Sequence, residues 1–264
     1  MTDALPETVM ATLDDPFAQL TGSLAGTRRL HFEVAASEQL SPHMQRLELT
    51  APELDGFTYL PGQDVMLLVG AEGTKPVRRR YTIRRLDPDR RLLTLDIVLH
   101  GDGPGERWVR SARAGDRIEG IGPRGKVSPS PEADWHLFMG DESAMPAILA
   151  MTESLPGDSE ATIVLEVPDP EDEQDVTAAA PTRVSWLHRL GGRAGEPGAL
   201  AAEAAEVELP PGSGHAYLLG EAKVVLRLRE ILAGRGLAQD QMSPKAYWGR
   251  GRANAGHGEP ARDA

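Results

Sequence analysis

The sequence predicts two unlike domains in tandem: an antiparallel β-barrel of about six strands over residues 28–130, then an open parallel-sheet α/β domain over 131–252. Three observations carry this reading. Apolar residues alternate at period two from 28 to about 127, which is the signature of half-buried strands. Beyond the turn-rich RGKVSPSPEAD the pattern changes to short apolar runs, each leading into a helical stretch or a loop. The change is confined to about residues 128–134, where a domain boundary is expected.

In chain order, residues 1–27 mix Pro, Thr, Asp and Gly with short apolar patches and read as a partly ordered leader. LHFEV (30–34), MQRLEL (44–49), DVMLLV (64–69), YTIRRL (81–86) and LLTLDIVL (92–99) are the barrel strands, separated by Gly, Pro and Asp turns. In the second domain WHLFMG (135–140) precedes AMPAILAMTESL, and ATIVLEV (161–167) precedes the acidic PEDEQD (170–175), read as a solvated loop. RVSWL (183–187) precedes EPGALAAEAAEV, and AYLLG (216–220) precedes EAKVVLRLREILAGRG. Residues 253–264 read as a flexible tail.

Composition narrows the chemistry. With no cysteine there is no disulfide, thiolate zinc site, cysteine-held iron–sulfur cluster or cysteine nucleophile, so redox work needs a borrowed cofactor. Lys and Arg number 28 against 40 Asp and Glu, a net charge of −12 that argues against nucleic-acid binding. Acids stand near the N-terminus where a signal peptide is basic, and no apolar run reaches membrane-spanning length, which points to a cytoplasmic protein.

Against that acidity, RRRYTIRR (78–85) places five arginines around Tyr81 and Thr82. An arginine beside an aromatic ring suits a phosphate attached to a planar heterocycle, although a charged edge strand explains the pattern equally well. LHGDGPGERW (99–108) adds a Gly/Pro turn running into a short helix, where backbone amides favour phosphate. In the second domain MGDESAMPAI (139–148) lies at the first strand-to-helix turn, the place where such sheets bind nucleotides. It lacks the G-x-G-x-x-G fingerprint, and helix capping accounts for Asp141 and Glu142 as well as ligand binding does.

Together these segments resemble the siderophore-interacting protein family within the ferredoxin-reductase-like flavoenzymes. Arg79, Tyr81, Thr82, Asp96, Val98, His100, Gly101, Gly103, Pro104 and Trp108 match its first-domain motifs, with Gly105 where a small Ala or Ser is commoner. Asp141, Glu142, Pro146 and Ala147 match its Gly-Asp-Glu-Thr-x-x-Pro-Ala stretch, with Ser143 replacing the Thr and keeping the hydroxyl, followed by Val184-x-Trp186-Leu187-His188-Arg189, Leu219-Gly220-Glu221-Ala222 and Tyr247-Trp248-x-Arg250-Gly251. The resemblance implies an FAD-dependent, NAD(P)H-dependent oxidoreductase that reduces Fe(III) in a ferric siderophore; a monomer is the default expectation, and the reaction calls for no metal ligands and no acid–base triad of the chain's own. The alternatives are a flavin reductase for another acceptor and a siderophore-binding flavoprotein without turnover.

By the same resemblance the ten first-domain residues hold FAD, with Tyr81 stacking on the flavin, Arg79 on the pyrophosphate and Thr82 near N5. Asp141, Glu142, Ser143, Arg189 and Glu221 face the nicotinamide nucleotide. Acids at 169 and 171–173 disfavour a ribose 2′-phosphate, a lean to NADH over NADPH. From charge and placement, Arg124, Lys126, Arg250 and Arg252 form a basic rim for the anionic substrate.

Overall fold

The computed structural model describes residues 17, 26–72 and 75–250. The expectations for Arg252, most of the leader and the tail lie outside them.

The first half is a sheet of seven antiparallel strands: β1 (Arg28–Ser41), β2 (Met44–Thr50), β3 (Asp64–Glu72), β4 (Lys75–Thr82), β5 (Arg85–Asp87), β6 (Leu92–Val98) and β7 (Arg117–Arg124), in the order β4-β3-β7-β1-β2-β6-β5. The strand beyond the expected six is the three-residue β5, which pairs with β6. Beyond the end of β4 the chain continues through Ile83 and Arg84 into β5, and the Arg84 amide donates to the Thr94 carbonyl of β6, so the chain itself carries the sheet round toward closure. Leu30, Phe32 and Val34 point inward with Leu47, Leu49, Val65, Leu67, Leu93 and Leu95, as period two requires. β6 breaks the alternation, because its outward residues Thr94 and Asp96 are buried as well and Val98 packs against the second domain. A short helix, α1 (Pro104–Ser111), follows β6.

The second half is a five-stranded parallel sheet of β8 (Trp135–Asp141), β9 (Glu160–Val167), β10 (Thr182–His188), β11 (Gly214–Glu221) and β12 (Met242–Trp248), ordered β10-β9-β8-β11-β12. Helices α3 (Gly198–Glu206) and α4 (Ala222–Gly234) cover one face through Leu200, Val224, Val225 and Leu228. The other face, carrying Phe138, Ile163, Leu165, Tyr217 and Leu219, is covered by α2 (Met145–Glu153). α2 is apolar all round because Met44 and Val127 from the barrel side share its cluster, so it lies between sheet and barrel.

β12 has no counterpart among the expected strands. Pro244 disguises it, and it is tolerated because β12 is an edge strand that need not donate every amide. The acidic stretch at 170–175 also corrects its reading as solvated loop. Asp172 is 2% exposed and accepts from Ser41 Oγ at 2.6 Å and the His43 amide at 3.2 Å, with His43 Nδ1 at 2.8 Å, fastening the β1–β2 hairpin to the second domain.

Candidate functional site

A cavity of ≈ 420 Å³, in the range of small-molecule sites, opens between the two sheets. The barrel contributes Arg79, Arg80, Tyr81 and Thr82 at the end of β4, then Val98, His100, Gly103 and Pro104 leading into α1. The second domain contributes Ser143 and Pro146 at the start of α2 and Lys245, Tyr247 and Trp248 from β12. Residues widely separated in sequence meet here because both the Gly/Pro turn and the C-terminal ends of the parallel strands face the seam between the sheets.

The turn is shaped to come close. Gly101 has φ +122°, which suits glycine, and Gly103 caps α1 ahead of Pro104, whose ring presets the first helical turn. A β-carbon at Gly105 would stand 2.8 Å from Tyr81 Oη and 3.0 Å from Arg79 Cγ, so the start of α1 rests directly on those two side chains. Burial raises the Tyr81 phenol well above its ordinary range, so the ring is a neutral wall. These features fit a flavin dinucleotide: an aromatic wall, an arginine, helix-start amides that lack intrahelical partners, and a Tyr247 hydroxyl that is buried without a hydrogen-bond partner.

On the nucleotide side, Asp141 is the organising group. Its Oδ1 accepts from the Ser143 amide at 2.9 Å and from Ser143 Oγ, and its Oδ2 accepts from the Glu221 amide at 2.9 Å and Trp248 Nε1 at 2.8 Å. Burial, reinforced by the neighbouring Glu142 carboxylate, pushes Asp141 up to about 6. Ser143 lines the cavity, while Asp141 stands behind it. Glu221 caps α4, accepting from the amides of Lys223 at 2.5 Å and Val224 at 3.0 Å, and also receives the Arg250 amide at 3.1 Å.

Several expected ligands are engaged elsewhere. Arg189 is only 9% exposed; it donates twice to Glu142 at 2.6 Å and contacts Glu166 at 3.3 Å, so its charge is already compensated. Asp96 lines the cavity, but its carboxylate is held by Arg46 at 2.7 and 2.8 Å and approached by Arg84 at 3.6 Å. Trp108 packs on the barrel core. Arg84 also pairs with Glu153 at 2.5 Å and Arg80 with Asp64 at 2.5 Å, so two of the five clustered arginines have acidic partners within the protein. Arg250 is tied to the Ala194 carbonyl, lies 3.4 Å from Glu196 and does not line the cavity, although the preceding Trp248 and Gly249 do. Lys126 is exposed and does not line the cavity.

The cavity-lining Asp64 and Lys245 carry no assignment from the sequence, and Pro146, Tyr247 and Trp248 only a motif match. The Pro-Lys-Ala-Tyr-Trp run, with two aromatics and a lysine near the end of an α/β domain, is the signal that could have marked three of them.

Comparison with known proteins agrees with this arrangement. Residues 69–127 match the family model described as siderophore-interacting FAD-binding domain, and residues 133–251 match that described as siderophore-interacting protein. The ferric vibriobactin reductase ViuB of Vibrio cholerae is 33% identical over 81% of this chain and 86% of its own length. A siderophore utilization protein from T. fusca superposes with a TM-score of 0.80 at 31% identity, covering 89% of this chain and 98% of that one. A ferredoxin NADP+ reductase from Neisseria gonorrhoeae shares the fold, with a TM-score of 0.67 at 16% identity over 85% of this chain and 100% of that one.

Proposed function

The chain belongs to the siderophore-interacting protein family of FAD-binding, NAD(P)H-dependent oxidoreductases, and from that membership we propose that it reduces the Fe(III) of a bound ferric siderophore so that iron is released as Fe(II). The balance is one NAD(P)H and two ferric ions giving NAD(P)+, one proton and two ferrous ions. The observation that carries the reading is the cavity itself, whose barrel wall and α/β wall face one another across the seam. FAD supplies the conversion between a two-electron hydride donor and a one-electron ferric acceptor.

The protein's own residues bind and orient. Tyr81 offers its ring face, Arg79 its guanidinium to the pyrophosphate, Thr82 a hydroxyl at the cavity wall, and the 98–105 turn its backbone amides. Ser143, fixed by Asp141, and Trp248, fixed by the same carboxylate, stand on the side from which the nicotinamide enters. Asp169 and Glu171 support NADH over NADPH, now without Asp172 and Glu173, which are bonded to His43 and His188. Ferric complexes with catecholate or hydroxycarboxylate oxygens are often anionic, and Arg124 of the rim, though it does not line the cavity, sits opposite the cavity-lining Asp64 across β3 and β7. A nicotinamide-driven reaction supports a cytoplasmic site of action; among the described residues no helix is long and apolar enough to cross a membrane.

Anaerobic absorption spectroscopy tests the proposal. The visible bands of oxidised flavin should bleach on adding NADH or NADPH and return on adding a ferric siderophore while a ferrous chelator colours. Bleaching without recovery would redirect the search to another acceptor, and failure of the protein to take up FAD would remove the reading altogether.

A further inference from the structure

Two cations, Arg80 and Lys245, gather on one carboxylate at the seam, with a third, Arg124, on the strand beside it. Asp64, at the start of β3, is 3% exposed; Arg80 reaches it at 2.8 and 2.5 Å, and Lys245 of β12 reaches the same Oδ2 at 3.4 Å. Arg124 pairs with Asp64 across β3 and β7, and its Nε and Nη1 are buried without an acceptor. The charged ends converge: a β-carbon built on Gly125 would stand 3.3 Å from Asp64 Oδ2, 3.5 Å from Arg80 Nη2 and 3.5 Å from Lys245 Nζ. Asp64, Arg80 and Lys245 all line the cavity. Burial and the neighbouring Arg80 both act against the charged form of Arg124, as expected where cations crowd.

We propose that Asp64 is the specificity-determining residue of this cavity, an internal counter-ion that sets how much negative charge the bound ferric chelate carries. The inference rests on the siderophore reading and names its substrate class as polyanionic oxygen chelates. A neutral chelate gains little from the cations and loses little to Asp64. A trianion gains from the cavity-lining Arg80 and Lys245 and is opposed by Asp64, so the effect of the carboxylate scales with ligand charge. One-electron reduction adds a further negative charge to the complex, and the same repulsion loosens the ferrous product.

Gallium(III) chelates, which are redox-inert, separate binding from turnover. A neutral trihydroxamate chelate and a trianionic triscatecholate chelate are titrated into the FAD-loaded protein, following the flavin absorbance. Asp64→Asn should tighten the trianion about tenfold and leave the neutral chelate within about twofold, an effect that shrinks with added salt. Lys245→Gln, which leaves the Arg80–Asp64 pair in place, should weaken the trianion and spare the neutral chelate. Trianion binding that both variants leave unchanged, or that they shift in the same direction, overturns the role of Asp64 alone. A wild-type protein that binds neither chelate overturns the siderophore reading and this inference with it.

Discussion

Trp248 donates its indole N–H to Asp141 across an intervening strand, since β11 lies between β8 and β12. Gly220 of β11 makes room for this: it has φ +130°, and a β-carbon there would stand 2.6 Å from Asp141 Oδ2. The bond therefore ties the crest of three parallel strands to one aromatic wall of the cavity. Gly220→Ala should displace the carboxylate, shift Trp248 emission to longer wavelength and cost about 2 kcal/mol or more in denaturant unfolding. Wild-type emission that survives the substitution would show that the indole is held by something else.

At Arg189, stability and ligand binding give different answers. It is buried between Glu142 and Glu166, and removing it leaves two carboxylates unpaired away from water. Arg189→Ala should lower stability by about 3–5 kcal/mol. Arg189→Lys should recover only part, because one ammonium cannot reproduce the bidentate contact. A phosphate-binding arginine would instead raise the KM for the nicotinamide nucleotide and leave the unfolding midpoint in place.

The two substitutions also show which features the sequence disclosed. The change from period two to strand–helix alternation made both sheets legible, and the arginine–tyrosine–threonine run and Gly/Pro turn marked the barrel side of the cavity. Period two assigns a side chain to a face but not to a partner. The acids that engage Arg80, Arg84 and Arg189 lie 16, 69 and 47 residues away in the chain, and only the tertiary fold brings them close. β12 was hidden by Pro244, and with it Lys245, whose importance depends on Asp64 from the other domain.

At Gly105 the packing against Tyr81 and Arg79 leaves no space for a methyl group. Gly105→Ala should move the ring and the arginine stem together, so the purified variant should carry several-fold less FAD per chain than the wild type. The flavin-to-protein absorbance ratio reads this directly. An undiminished ratio would mean that the two side chains yield without affecting the cofactor.

His136 and Asp141 oppose one another in acid. His136, 2% exposed with Tyr217 Oη 3.3 Å from its Nδ1, is lowered to about 4 from 6.5 by burial, with His215 adding to the shift. The stability gained by keeping it neutral is fully present above 6.5 and is lost as pH falls through about 4. Asp141 is shifted the other way, from 3.8 to about 6, so its contribution is present below 3.8 and lost as pH rises through about 6. The two shifts run in opposite directions, so between pH 6 and 4 their slopes oppose one another. His136→Gln should leave the Asp141 slope exposed, with the denaturant midpoint rising as pH drops from 7 to 5. Asp141→Asn should expose the histidine slope, with the midpoint falling over the same interval. Parallel pH profiles for wild type and both variants would mean that neither group titrates in the folded protein where its burial places it.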